Sequence, residues 1–219
     1  MSRTIAIGDI HGCSLALKAI LKAIEPGVDD TIVTLGDYVD RGIDSKGVLD
    51  HLIALEKKGC LVPILGNHDQ MMLYAFDGKD NFRFWLNCGG DSALDSYGST
   101  SSLSLIPHEH VRFLRTCRLC FETETHIFMH ANYRPEVLLD QLDDHTLCWL
   151  SQHEFRPPKI QCSGKTAVAG HSQHGEVLDL GYLLCIDTSA WNGGWLTALD
   201  VNSRQLWQAN EQGELRSPG

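Results

Sequence analysis

The chain has no basic patch and no long apolar run. Its 18 lysines and arginines are outnumbered by 28 aspartates and glutamates, for a formal net charge of −10. Lys57-Lys58 is the longest basic run. A surface of that sign repels nucleic-acid backbones and anionic membranes unless a local basic patch overrides it, and two lysines make no such patch. Nucleic acid is therefore not an expected partner. No apolar stretch approaches the ~20 residues needed to span a bilayer. The opening Met-Ser-Arg-Thr passes directly into a strand pattern, without the layout of a secretory signal. These absences point to a protein of the cytoplasm with no membrane partner.

Internal repeats and biased tracts are missing too. A length of 219 residues suits a single domain, 1–219, that buries enough apolar surface to stand without disulfides. The eight cysteines are scattered, most of them inside apolar runs such as Leu183-Leu184-Cys185-Ile186. There a thiol acts as a small hydrophobe, and a reducing compartment keeps it free. Cys117 and Cys120 form one Cys-x-x-Cys, but no second pair completes a zinc site. Packing at a strand entrance is the expected role.

What the chain does contain is one arrangement used three times. Thr4-Ile5-Ala6-Ile7, Thr31-Ile32-Val33-Thr34-Leu35 and Leu61-Val62-Pro63-Ile64-Leu65 are short apolar runs, each ending at a glycine followed by Asp9, Asp37 or Asn67. Apolar residues at helical spacing fill the two intervals, stopped by Pro26-Gly27 and by Lys57-Lys58-Gly59. This β-α-β-α-β order predicts an α/β fold with a parallel sheet covered by helices. Ligands in such sheets bind beyond the carboxyl ends of the strands, where all three glycine-led motifs fall.

Short helices are expected around Met71–Ala75 and Val111–Leu114, an apolar cluster at Phe82, Phe84 and Trp85, and an exposed loop at Ser99–Ser102. Strand patterns return at 120–123, 126–129, 166–169, 182–186 and 195–199. They predict a second sheet packed on the first, two β-sheets flanked by helices, with a polar, frayed end beyond about residue 210.

Asp9, Asp37, Asn67 and a set of histidines (His11, His68, His130, His171) all fall at strand ends. Mixed oxygen and imidazole donors favour manganese, iron or zinc over calcium or magnesium. Taken singly, Asp9 or Asp37 reads equally as a helix N-cap, His130 or His171 as a satisfied core histidine, and Asp40-Arg41 as a surface ion pair. Matching positions at several strand ends set those readings aside.

Gly8-Asp9-Ile10-His11-Gly12, Gly36-Asp37-Tyr38-Val39-Asp40-Arg41-Gly42 and Gly66-Asn67-His68-Asp69 resemble the motifs of the calcineurin-like metallophosphoesterases. The nearest branch is the phosphoprotein phosphatases, in particular the short bacterial and phage-type serine/threonine phosphatases. Met129-His130-Ala131, Gly170-His171-Ser172 and Ile186-Asp187-Thr188 follow in the family order, so the resemblance covers nearly the whole chain. It implies two divalent metal ions, with manganese the leading choice. One would be held by Asp9, His11 and Asp37, and the other by Asp37, Asn67, His130 and His171. A hydroxide shared by the two cations would attack a phosphoprotein or a small phosphoester. His68 would be the general acid, Asp40 would keep its imidazolium oriented and charged, and Arg41 would bind the phosphate.

Two departures bear on substrate. Asp69 stands where protein phosphatases of this branch commonly carry glutamate, and aspartate there resembles the symmetrical dinucleoside tetraphosphatases. Asp40-Arg41 and the short length resemble the protein phosphatases instead. A second phosphate-binding arginine, usual two residues after a tryptophan, is missing, because Trp149 is followed by Leu150 and Ser151. Arg156 and Lys165 are its possible substitutes. A dinucleotide substrate would need a stacking surface, for which Trp85, Trp191 and Trp195 are available. His51, His108, His110, His126, His145, His153 and His174 match no family ligand and are expected outside the chemistry.

Overall fold

The computed structural model describes residues 2–217. Strands β1 (Thr4–Ile7), β2 (Thr31–Thr34) and β3 (Leu61–Pro63) are joined through helices α1 (Ser14–Ile24) and α2 (Ser45–Glu56). They pair in parallel and in register, as the β-α-β-α-β pattern requires. Glu25 closes α1 in the left-handed conformation at φ 47°, and Gly59 turns the chain after α2 at φ 81°. The capping residue of α2 is Asp44, whose carboxylate accepts from the Gly47 N–H; Cys13 precedes α1. Asp9 and Asp37 are thus released from the N-cap role.

The middle of the chain is helical: α3 (Asn67–Ala75), α4 (Lys79–Trp85), α5 (Asp91–Ser96) and α6 (His108–Thr116). A π-type turn at Leu86–Gly90, kinked at Gly89 (φ 106°), separates α4 from α5. Ser99–Ser102 is an exposed loop, as expected. The second sheet contains β4 (Cys120–Glu122), β5 (His126–Met129), β6 (Thr166–Ala169), β7 (Leu178–Asp179) and β8 (Leu183–Cys185), in the order β4-β5-β6-β8-β7. Helix α7 (Asp144–Cys148) lies between β5 and β6 in sequence.

Burial alternates along the strands and shows how the layers stack. Ile5 and Ile7 of β1 face the helical core with Leu17, Ile20, Leu49 and Leu52, whereas Ala6 faces the space between the sheets. From the second sheet, Phe128, Val168 and Leu184 meet Ala6, Val33, Leu35 and Ile64 there. Ile127, Met129 and Ala167 point the other way, onto Leu139, Leu147 and Cys148. Both faces of both sheets are therefore covered, giving the expected αββα sandwich.

Two expectations need correction. The segment 195–199 was expected in the second sheet, but β10 (Trp195–Asp200) pairs antiparallel with β1 in the first. There it joins β9 (Asp187–Thr188) and β11 (Leu206–Ala209). Leu196 and Ala198 reach the helical core and Leu199 the inter-sheet core, so β10 buries both faces where β1 would otherwise be a bare edge. The segment after residue 210 does not simply fray. It turns back so that Leu215 bridges to Ala209, and the Arg216 guanidinium reaches Glu176 at 2.8 Å. All eight cysteines are free thiols, with Cys117 closing α6 and Cys120 opening β4.

Arg3 and Asp30 fasten the start of β1 to the turn before β2. The Arg3 backbone N–H donates to Asp30 Oδ1 at 3.0 Å, and its guanidinium reaches Asp30 Oδ2 at 2.6 Å and the Ile24 carbonyl at 3.1 Å. The hydrogen bond from Arg3 holds the Asp30 carboxyl well below its usual range. A depressed carboxylate pKa contributes stability above the unfolded value of about 3.9, and that contribution fades as pH falls through the folded value. Asp30→Asn is expected to cost about 1–2 kcal/mol at neutral pH. The gap between the variant and the parent should narrow below about pH 4, as read in urea melts across pH. A gap independent of pH would contradict this linkage.

Candidate metal centre and cleft

The strand ends converge at one edge of the sandwich. Asp9 and His11 follow β1, Asp37 follows β2, and Asn67 and His68 open α3. His130 follows β5, and His171 lies two residues beyond β6. All are buried or nearly so, with exposures of 7% or less for all but His171. Several have backbones that side chains rarely adopt: φ is 42° at His11, 51° at Asp37, 72° at Asp40, 68° at Arg41 and 62° at His171. Such strain persists only where surrounding packing enforces it, and it gathers at functional sites. Gly170 makes room for Asp9, because a Cβ there would lie 2.0 Å from Asp9 Oδ1.

Two groups of donor atoms form, each within 4.8 Å: His11, Asp37 and His68, and Asp37, His130 and His171. Asp37 belongs to both. Its Oδ2 lies 3.3 Å from His11 Nε2 and its Oδ1 lies 3.4 Å from His130 Nε2. Asn67 Oδ1 is 3.0 Å from His130 Nε2 and from His171 Nδ1. Asp9 stands beside these groups, with both oxygens 3.1 Å from the His171 backbone N–H. The His68 ring lies close to His11 and Asp37.

The second nitrogens of the histidines explain the pattern. His11 Nδ1 faces the Val39 carbonyl at 2.9 Å, His130 Nδ1 the Leu35 carbonyl at 2.7 Å, and His171 Nε2 the Trp149 carbonyl at 3.0 Å. A carbonyl only accepts, so each of those nitrogens carries the proton and the opposite nitrogen presents a lone pair. Burial lowers the pKa of His130, and chiefly burial lowers that of His171, to about 4. Lone pairs on neutral rings therefore face the oxygens of Asp37 and Asn67. Acceptor opposite acceptor is unfavourable in a buried site, and a cation between them removes the conflict.

The carboxylates carry the same signature. Burial, then Asp187 and Asp37, raise Asp9 well above the usual carboxylate range. Burial opposes ionisation of Asp37 as well, so its charge depends on positive charge supplied beside it. Asp187, buried in β9 and also raised chiefly by burial, is a further carboxylate of this neighbourhood. Its position in the family order carries it into the site, although no role was expected of it. The buried donors thus fit divalent cations.

Beside the donors, His68 Nδ1 and Asp40 Oδ2 are 2.8 Å apart, the expected pair. Burial chiefly lowers His68, to about 3, and raises Asp40 well above its usual range. A charged imidazolium was expected; burial of both groups instead favours a neutral imidazole beside a protonated carboxyl over the ion pair. The Trp85 indole N–H donates to both Asp40 oxygens, at 2.9 and 3.0 Å, and the ring packs against Gly90. Nothing in the sequence singled out Trp85 for this contact. Trp85→Phe keeps an aromatic ring but removes the donor, and kcat is expected to fall about tenfold with KM little changed. Steady-state kinetics check this; equal losses in a Trp85→Phe, Asp40→Asn pair and in their sum would show that the two act separately.

The cleft over these groups has a volume of about 400 Å³ and is lined by Asp37, Arg41, Asn67, His68, His171, His153, Gln173 and Trp191. Arg41 is the expected phosphate ligand. Its Nη1 is 3.2 Å from His11 Nε2, and its guanidinium lies 4.9 Å over the Trp191 ring. Neither Arg156 nor Lys165 lines the cleft, and Lys165 is tied to Glu122 at 3.0 Å. On the wall after α7, His153 lines the cleft, although the sequence set it aside. Of the three tryptophans offered for stacking, only Trp191 lines the cleft. Trp85 is fully buried, and Trp195 lies beneath Arg216.

Asp69 has a different task from marking substrate. It is fully buried, accepting from the Tyr38 N–H and the Gly66 N–H at 3.0 Å each. It clasps the loop after β2 to the start of α3 and does not line the cleft. Asp69→Ala leaves two buried amides without partners and is expected to cost about 2–4 kcal/mol. The relative rates on a phosphopeptide and a dinucleotide should stay unchanged, and a switch in that preference would restore a substrate role.

The Calcineurin-like phosphoesterase family model matches residues 2–179. Serine/threonine-protein phosphatase 1 of Salmonella typhimurium is 29% identical over 202 residues, 87% of this chain and 88% of that enzyme. A symmetrical bis(5'-nucleosyl)-tetraphosphatase of Citrobacter koseri is 43% identical over 77 residues, but the match spans only 34% of this chain and 26% of that enzyme. In fold, the chain resembles a putative diadenosine tetraphosphatase (TM-score 0.73, 21% identity, 100% of this chain and 95% of the other). It also resembles the cold-active protein-tyrosine phosphatase of a psychrophilic Shewanella species (TM-score 0.69, 19% identity, 99% and 80%). With converging donors, the sandwich and a family match over most of its length, the chain belongs to the calcineurin-like phosphoesterases.

Proposed function

We propose that this protein is a two-metal phosphomonoester hydrolase of the serine/threonine protein phosphatase type. The observation that carries metal dependence is the set of histidine nitrogens turned toward the oxygens of Asp37 and Asn67. Asp9, His11 and Asp37 would hold one cation, and Asp37, Asn67, His130 and His171 the other, with manganese the leading candidate. The pair supplies positive charge and Lewis acidity toward the phosphoryl group.

The chain's own residues do the rest. Arg41, the cationic fork in the cleft, binds phosphoryl oxygens and holds the ester in line. The His68 imidazole gives its Nε2 proton to the departing oxygen as Nδ1 takes up the Asp40 proton. That transfer leaves a negative charge on Asp40, where the Trp85 indole N–H donates to both carboxylate oxygens. The similarity to a serine/threonine-protein phosphatase along nearly the whole chain supports a phosphoprotein substrate.

Hydrolysis of a dinucleoside tetraphosphate is the second reading, favoured by Trp191 in the cleft wall. A direct comparison, with added manganese, of a phosphoserine peptide and diadenosine tetraphosphate separates the two. The peptide is expected to have the higher kcat/KM. Preference for the nucleotide overturns the first reading, and no turnover of either, or of p-nitrophenyl phosphate, by metal-loaded protein overturns both.

A further inference from the structure

Behind Arg41 lies a second cavity, of about 270 Å³, walled by Cys13, Leu15, Ile43, Arg41, Trp191 and Glu211. Arg41 and Trp191 line both this cavity and the metal cleft, so the two spaces share one partition.

Two large aliphatic side chains stand exposed at its rim. Ile43 is 88% exposed, directly after the strained Asp40-Arg41-Gly42 turn, and Leu15 is 52% exposed at the start of α1. Core packing accounts for neither, and apolar side chains gathered beside a cleft mark a binding surface. The Trp191 indole N–H is buried and has no hydrogen-bond partner among the described residues. The only carboxylate of the wall is Glu211.

These walls discriminate between ligands. In a dinucleoside polyphosphate the group next to the scissile phosphate is another phosphate, which would enter an apolar space beside a carboxylate. In a phosphopeptide the next group is a neighbouring residue, about 3.8 Å away from Cα to Cα, with a side chain to bury.

We propose that this cavity is a specificity subsite for an apolar side chain adjacent to the phosphorylated residue of a protein substrate. The proposal rests on the protein phosphatase reading above and narrows it to phosphosites with aliphatic neighbours.

The test uses the manganese-loaded protein and two phosphoserine peptides that differ only in leucine or aspartate on both sides of the phosphoserine. The parent is expected to prefer the leucine peptide about tenfold in kcat/KM, the discrimination available to a small apolar pocket. Ile43→Ser and Leu15→Ser, both at exposed positions that tolerate change, are each expected to bring that ratio close to one. Equal turnover of both peptides by the parent, or an undiminished ratio in both variants, overturns the subsite and leaves the protein phosphatase reading standing. Turnover of diadenosine tetraphosphate with neither peptide cleaved overturns that reading, and the subsite with it. Slowed nucleotide cleavage in Ile43→Ser with an unchanged peptide ratio assigns the cavity to a nucleoside and overturns the peptide proposal.

Discussion

His68→Asn is expected to lower kcat by two to four orders of magnitude while two metals remain bound. General-acid assistance contributes about 10²–10⁴-fold when a proton must reach a poor leaving group. The backbone of residue 68 also serves the site, since its N–H donates to Asp37 Oδ1 at 2.9 Å. Asparagine keeps that backbone contact and the helix start, so the bridging carboxylate stays in place. The loss should be larger on phosphoserine than on p-nitrophenyl phosphate, whose leaving group departs with little protonation. Metal analysis with both substrates therefore distinguishes two roles for one imidazole. The His68 ring also lies within ligand distance of His11 and Asp37. If the variant loses a metal, or loses equally on both substrates, His68 is a ligand and the acid must be sought elsewhere.

Asp37→Asn is expected to abolish binding at both metal positions yet leave the metal-free protein as stable as its parent or more so. Asp37 is the one side chain present in both donor groups. Its negative charge, nearly fully buried, is costly without a cation. An asparagine amide can donate to the lone pairs of His11 or His130 that now face carboxylate oxygens. Asparagine also tolerates the left-handed backbone at φ 51° better than most residues. The parent's melting temperature should rise with manganese by the usual linkage, whereas the variant's should not. Thermal melts with and without chelator, together with metal stoichiometry, measure both halves. Two metals retained in the variant would remove the bridging role of Asp37. A strongly destabilised metal-free variant would show instead that the charge supports the fold.

Much of the donor set was legible because each motif is a local event. An apolar run, a glycine and a ligand-type residue follow one another within a few chain steps, and parallel strands in register bring their ends to one edge. Asp9, His11, Asp37, Asn67, His130 and His171 were named as candidates in this way. Asp69 misled because its neighbours in sequence are site residues, while its carboxylate turns to the Tyr38 and Gly66 amides. His153 and Gln173 escaped because they lie on connections with no periodicity. The alternating apolar pattern of β10 identified a strand but could not choose its sheet, since both sheets bury both faces.

By itself, then, the amino-acid sequence determined the α/β class, the order of strand ends and the chemical identity of the donors. Tertiary structure alone decided that His11, His130 and His171 spend one nitrogen on a backbone carbonyl, which turns the other toward Asp37 or Asn67. It also decided that Trp85 supports Asp40, and that Arg41 and Trp191 divide the cleft from a second cavity. The reason is one of range. A strand ending in glycine and aspartate is settled by neighbours along the chain, whereas the partner of a ring nitrogen lies up to 95 residues away and is fixed only when the two sheets pack.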